Sequence, residues 1–309
     1  SIFCANAQEK LRDDQSDSND SYCSCTNHIV HRHITDPDIS TVEDYYELIS
    51  GNSRTNSKKD VAMVGNNSLS SSIDNSTSPY FPQIRSQGWL GSCGVFSTTY
   101  YQFTYTMNKL RNIATTIDNS FSVKWVYNFS NNGKDDGSTP KDNYEILKSI
   151  GCPSENSVPY SLDYKSWCTD PEIWREAARY RLKSYHTFSD IGEADTLITS
   201  PDDPDLLPIK AALCNGEVLT YSTFFNSWKV DELKTNPKIN ENYNHQGEKF
   251  VRAGLGDYGG HGMTIVGYND DIWCDINQNY QIESGEMGAF KVANSHGDDY
   301  ANNGYIWVA

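Results

Sequence analysis

Residues 95–112 contain neither proline nor glycine, and their large apolar side chains Phe96, Tyr100, Phe103, Met107 and Leu110 step by four, three, four and three. That spacing predicts a helix with one buried face. Its threonines leave intrinsic helix propensity only moderate, so the helix must draw its stability from a core packed against it. At 309 residues the chain is long enough to build that core as one large domain or two lobes. More helical text follows in "NYEILKSIG", which Gly151 and Pro153 stop. In "DPEIWREAARYRLKSY", Asp170 is placed to cap and Pro171 to take the first helical position.

The character changes after the acidic, turn-rich "SPDDPDLLP". A short helix, "IKAALCNG", ends at Gly216, and then come "EVLTYSTF", "GMTIVGYND", "GAFKVANSH" and "GYIWVA". These β-branched and aromatic runs, bounded by Gly, Asn and Asp, read as strands of an antiparallel sheet or partial barrel. The expectation is an α+β fold with a helical lobe at about residues 85–200 and a β lobe at about 201–309. Residues 8–68 are polar and rich in Ser, Asn and Asp, which suits an N-terminal extension or pro-segment without a core of its own. Its one amphipathic piece, "TVEDYYELIS", has Val42, Tyr45, Tyr46 and Ile49 at helical spacing.

With 25 Lys and Arg against 41 Asp and Glu, the formal charge is −16. A phosphate backbone is repelled by such a surface, so nucleic acid is not an expected partner. No run has the apolar length needed to span a bilayer. Ala5-Asn6-Ala7 has the small-x-small form of a signal-peptidase site, so residues 1–7 read as the remnant of an export signal, or else as an ordinary frayed terminus. Eight cysteines suit an exported, extracellular, periplasmic or cell-surface protein, where disulfides persist. Cys152 and Cys168 bracket a proline-containing loop and form the expected pair. Sequons stand at Asn66, Asn75 and Asn128. Cys23, Cys25, His28, His31 and His33 are side chains that zinc accepts, but they lack a standard ligand spacing, so no metal and no cofactor is expected.

In "QIRSQGWLGSCGVFSTTYYQF" a single thiol, Cys93, precedes the predicted helix. A free cysteine is usually a small packing residue. At a helix N-terminus, however, unpaired N–H groups and the macrodipole favour the thiolate, the form that attacks carbonyls. A nucleophile also needs a base. "GGHGMTIVGY" places His261 at the mouth of an apolar strand, where flanking glycines, Gly260 among them, leave room for a substrate backbone. A satisfied core histidine is the alternative. Further on, Asn294 in "FKVANSHGDDYANNGYIWV" is a neutral amide able to fix an imidazole ring.

"QGWLGSCGVFS", "GGHGMTIVGY" and "VANSHGDDYANNGYIWV", in that order, resemble the three active-site blocks of the papain-like cysteine peptidases, most closely a divergent bacterial branch. The interval from Gln87 to Cys93, the order Cys, His, Asn, and the close at Asn303, Gly304 and Tyr305 all match that pattern. "SIGCPSENSVPY" and "IKAALCNGEVL" resemble two intermediate segments, so the likeness covers residues 69–309. The resemblance implies a two-lobed fold, helical first and β-barrel-like second. It also implies Cys93 as nucleophile, His261 as its base and acid, Asn294 as the ring's orienter and Gln87 as an oxyanion donor. Gly137 and Ser138 of "DDGSTP" are the nearest match to the glycines that pair with substrate. Three departures stand out: Gly94 replaces the usual tryptophan after the nucleophile, Leu90 replaces a half-cystine, and His296 replaces the tryptophan that shields the Asn-His hydrogen bond. His296 is thereby a competing base, although its place beside Asn294 suits a shield better.

Three functions are consistent with these residues. The first is a secreted endopeptidase acting on protein or peptide substrates through an acyl-enzyme, with the N-terminal extension contacting the groove. The second is a catalytically weak or inactive peptide-binding module on the same scaffold. The third is a cell-wall amidase or transglutaminase-type acyl transferase.

Overall fold

A computed structural model of the chain describes residues 40–49 and 52–55 along the backbone, and residues 69–188, 198–254 and 259–309 with their side chains. Residues 1–7, the Cys23 to His33 cluster and Asn66 lie outside the described residues. The helix expected after Cys93 forms as three successive stretches, Cys93–Val95, Phe96–Phe103 and Thr104–Arg111, the middle one π-helical. Asn112 ends it in the left-handed region, returning its N–H to the carbonyls of Asn108 and Lys109.

The periodicity predicts one buried face, yet every residue from 96 to 105 is buried. The central helix runs through the molecule, and its polar side chains serve as connectors. Ser97 Oγ donates to the Met263 carbonyl, Gln102 Nε2 donates to the Val218 carbonyl at 2.9 Å, and Tyr144 donates its hydroxyl to Gln102 Oε1 at 2.5 Å. Satisfying these groups lets a threonine-rich helix sit in a core.

Around it stand the shorter helices Val123–Ser130, Pro140–Ser149, Pro171–Arg179 and Leu207–Cys214. Asp170 caps the third through the Glu172 N–H with Pro171 at its start, as its sequence predicts. The first large core unites the central helix with Trp125, Tyr127, Tyr144 and Leu147 of its neighbours. A second core, including Ile209, Leu213, Met263, Ile265 and Val292, lies beneath the sheet.

The strands are β1 (Ser40–Ile49), β2 (Asn52–Thr55), β3 (Ser72–Asp74), β4 (Tyr180–Thr187), β5 (Leu219–Phe224), β6 (Trp228–Glu232), β7 (Lys249–Gly254), β8 (Gly260–Trp273), β9 (Met287–Ala293) and β10 (Tyr305–Val308). They form one sheet in the order β2-β1-β5-β8-β9-β10-β7-β6, with β3 added to β8 and β4 to β1. All four strands read from the sequence are present as β5, β8, β9 and β10. The sheet is not wholly antiparallel, since β10 pairs with β7 in parallel.

Two segments read as helical are strands instead. "TVEDYYELIS" forms most of β1, and the tail of "DPEIWREAARYRLKSY" leaves its helix at Arg179 to form β4. The two pair with each other, Tyr45 opposite Leu182 and Tyr46 opposite Arg181. Each supplies the ladder the other needs, and that long-range pairing overrides local periodicity.

The expected Cys152–Cys168 disulfide is absent, and both are free thiols, as are Cys93, Cys214 and Cys274. Cys152 is fully buried with its thiol directed at the Ser122 and Pro153 carbonyls, whereas Cys168 packs beside the helix that starts at Pro171. The sequons Asn75 and Asn128 have structural work: Asn75 Nδ2 donates to the Leu213 and Glu217 carbonyls, and Asn128 is buried against the Ser166 carbonyl. Among the described residues no helix is long and apolar enough to cross a membrane.

Candidate active site

Cys93 opens the central helix, so the N–H groups of its first turn gather round the thiol. Burial nevertheless raises the thiol above its ordinary value, and the N–H groups of Gly262, Gly94 and Cys93 itself oppose that rise. The charge of Asp135 adds to it.

His261 enters from β8, where it lies opposite Thr223 of β5. The next residue, Gly262, meets the backbone of the nucleophile turn. A Cβ there would stand 2.7 Å from Gly94 Cα and 3.2 Å from the Cys93 carbonyl carbon. Gly94 is confined on its other side, since a Cβ on it would stand 2.9 Å from the Ser138 carbonyl oxygen. The tryptophan usual at this position has no room here, and the two glycines let the strand and the helix touch.

His261 Nε2 donates to Asn294 Oδ1 at 2.8 Å. This bond holds the hydrogen on Nε2 and leaves Nδ1 as the acceptor nitrogen. Burial pulls the imidazole down to about 4, with the Asn294 bond acting in the opposite direction. Asn294 directly follows β9, and the register that sets Ala293 against Thr264 brings it beside β8. Its own backbone is pinned, because its N–H donates to the Gly304 carbonyl at 2.9 Å and its carbonyl accepts from the Tyr101 hydroxyl at 2.8 Å.

His296 occupies the shielding position. Its ring centroid lies 4.6 Å from that of His261, and Asn294 Nδ2 points at its Nδ1 over 3.4 Å. Burial and the neighbouring His261 pull it down to about 4 as well. Phe225 closes the group, 4.9 Å from the His261 ring and 5.2 Å from the His296 ring, with Tyr300 behind. Water is thereby kept from the His261–Asn294 bond by a histidine and a phenylalanine.

Gln87 is buried beside this group. Its Nε2 donates to the Leu90 carbonyl at 2.7 Å and its Oε1 accepts from Ser295 Oγ at 2.6 Å, which leaves the second amide hydrogen uncommitted. Ser295 also accepts the Gln87 N–H on its carbonyl at 2.7 Å and gives its own N–H to Asn294 Oδ1 at 2.7 Å. One residue therefore ties the glutamine to the asparagine.

Beneath the turn, Tyr160 gives its hydroxyl to the Gln87 carbonyl and meets Ser92 Oγ, both at 2.7 Å. Glu155 orients it by accepting the Tyr160 N–H at 2.8 Å, and Arg85 pairs with Glu155 at 3.0 Å. Burial raises Glu155, and Arg85 holds that rise back. The "SIGCPSENSVPY" segment is thus a foundation of the nucleophile turn. Of the weaker candidates, Gly137 and Ser138 run beside Gly91 and Gly94, whereas Gly260 is exposed with open space beside it.

Sequence reasoning assigned no role to Ser295, Phe225, Tyr160 or Asp135. Ser295 adjoins Asn294 in a recognised block, and Tyr160 closes a recognised segment. Phe225 lies in an unmarked turn after β5, with no signal in the local text.

No family model matches the chain, and no curated protein matches it in sequence. Solved structures do resemble it. Xylellain, a cysteine protease from Xylella fastidiosa, is 20% identical, with a TM-score of 0.51 over 78% of this chain and 80% of that one. A recombinant stem bromelain precursor is 16% identical, with a TM-score of 0.50 over 87% of this chain and 71% of that one. At these identities the likeness speaks for architecture: the chain has the mixed α+β fold of the papain-like cysteine proteases.

Proposed function

We propose that the protein is a cysteine endopeptidase with Cys93 as nucleophile, His261 as general base and acid, Asn294 as the orienting amide and Gln87 as an oxyanion donor. The observation that carries this reading is the 2.8 Å bond from His261 Nε2 to Asn294 Oδ1, which leaves Nδ1 free on a residue whose neighbour abuts the Cys93–Gly94 backbone. The Cys93 proton passes to His261 Nδ1 as sulfur bonds to the scissile carbonyl carbon. The oxyanion accepts from the uncommitted Gln87 amide hydrogen and the Cys93 N–H. The C–N bond then breaks, His261 gives its proton to the leaving amine, and water releases the acyl group from sulfur.

Burial opposes a lone thiolate and a lone imidazolium alike. Charges formed together offset much of that cost, and the pair titrates as a unit. The raised thiol is also the one observation favouring the peptide-binding module. A peptidyl epoxide that alkylates activated thiolates decides between them. A single adduct on the wild type, missing from Cys93→Ala and much slower in His261→Ala, is the result expected of the peptidase. No adduct at neutral pH turns the assignment to the binding module. An exported setting is proposed from the small-x-small Ala5-Asn6-Ala7 and the cysteine content.

A further inference from the structure

Asp135 has no part in the chemistry above, and its charge raises the Cys93 thiol, which opposes activation. Its value to the site lies in what it holds. One carboxylate oxygen, Oδ1, accepts the N–H of Gly91 at 2.8 Å and the hydroxyl of Tyr127. Gly91 stands two residues before the nucleophile, and Tyr127 is a buried residue of the helix Val123–Ser130. The Gly137 N–H in turn points at the Tyr127 hydroxyl. The two loops are in close contact at this point: a Cβ on Gly91 would stand 3.0 Å from the Gly137 nitrogen and 3.3 Å from the Tyr127 oxygen. One residue further on, the Ser138 carbonyl faces Gly94.

Hydrogen bonds to an ionised acceptor are stronger than neutral ones, so a shared carboxylate is an effective tie between two surface loops. We propose that Asp135 is a positioning residue, whose carboxylate clamps the 135–138 loop to the turn before Cys93 and so sets the width of the cleft wall along which an extended peptide lies. The proposal rests on the peptidase reading of the site. It separates two properties that other defects would change together: the reactivity of the thiol and the fit of a peptide. Without the clamp, peptide no longer seats, while the thiol, relieved of a neighbouring negative charge, reacts at least as readily as before.

The test compares two reactions of the full chain at neutral pH, hydrolysis of a fluorogenic peptide and alkylation of Cys93 by iodoacetamide, which needs no cleft. In Asp135→Ala, kcat/KM for the peptide is expected to fall at least about tenfold, the scale of a misplaced substrate, with iodoacetamide alkylation unchanged or faster. Asp135→Asn keeps an acceptor oxygen without the charge. It is expected to restore part of the peptide rate relative to Asp135→Ala, with iodoacetamide alkylation again undiminished, a rescue of peptide fit that a general loss of fold does not produce.

Tyr127→Phe removes one of the two donors, and about fivefold is expected from the loss of one hydrogen bond. This variant and Asp135→Asn carry the test if Asp135→Ala does not fold. Peptide and iodoacetamide rates that fall together, or a peptide rate untouched in both Asp135→Ala and Tyr127→Phe, overturn the positioning role alone. A wild type that is alkylated by iodoacetamide yet cleaves no peptide overturns the peptidase reading, and this proposal with it.

Discussion

Gly262 and Gly94 meet backbone to backbone: a single methyl group on Gly262 would lie 2.7 Å from Gly94 Cα, closer than packed carbon atoms approach. This contact joins the strand that carries His261 to the helix that carries Cys93. Gly262→Ala is expected to force the two elements apart, at a cost of about 1–3 kcal/mol in stability. Denaturant unfolding measures that loss, and peptidyl epoxide labelling of Cys93 should slow in step. Gly94→Trp, which installs the residue usual in the resembled family, should destabilise still more, because its Cβ is directed at the Ser138 carbonyl.

Asn294 holds the hydrogen of His261 on Nε2. Asn294→Ala leaves the ring free to turn or change tautomer, and misplacement of a reacting group by an ångström costs on the order of 10²-fold in rate. The expected result is a fall of that order in kcat with KM little changed, measured by steady-state hydrolysis of a peptide substrate.

Gln87 has one amide hydrogen uncommitted and the other held by Leu90. Gln87→Ala is expected to lower kcat by about 10²–10³, the usual consequence of losing one oxyanion donor. Alkylation by iodoacetamide forms no oxyanion, so its rate should be nearly unaffected. Equal losses in both assays would argue against this role for Gln87.

His296 is pulled from 6.5 to about 4 by burial and by the neighbouring His261. The folded state therefore binds fewer protons at this ring than the unfolded chain between those values, and stability falls as pH drops from 6.5 towards 4. Above 6.5 both states hold a neutral ring and the effect vanishes. His296 is ringed by Phe225, Tyr300 and His261, with Asn294 as its polar neighbour. His296→Phe is expected to melt higher than wild type near pH 5, with the gap narrowing towards pH 8 as protonation ceases to matter. A gap independent of pH would show that packing alone, and not ionisation, separates the two proteins.

His245 makes the opposite prediction. It lies between Glu248 and Glu241, at 3.1 and 3.3 Å, and the hydrogen bond to Glu248 raises it above 6.5. Its stabilisation is fully present below 6.5 and is lost as pH rises through the raised value. His245→Gln should therefore cost stability near pH 6, by roughly 0.5–1 kcal/mol for a partly exposed ion pair, and much less near pH 8. Thermal melts at the two pH values check this.

What was legible in the sequence is what local chemistry determines. The steps of three and four after Cys93 specify a helix, β-branched and aromatic runs bounded by Gly, Asn and Asp specify β5, β8, β9 and β10, and Asp170-Pro171 specifies a helix start. Cys93, His261 and Asn294 were drawn together as candidates by the resemblance of their three blocks to those of the papain-like peptidases, since residue type alone leaves a buried cysteine or histidine equally able to be a packing residue. The tertiary structure decided whatever depends on a distant partner. β1 and β4 have the text of helices and become strands because each completes the other's ladder. Over residues 96–105 the central helix is buried on all sides because Ser97 and Gln102 find carbonyls on the β segments that follow. Cys152 stays a free thiol because it points into the core. Phe225, Ser295 and Asp135 acquire their places beside Cys93, His261 and Gln87 through folding alone, since residues far apart in the chain become neighbours only when burial and hydrogen bonding gather them, and no local pattern records which will meet.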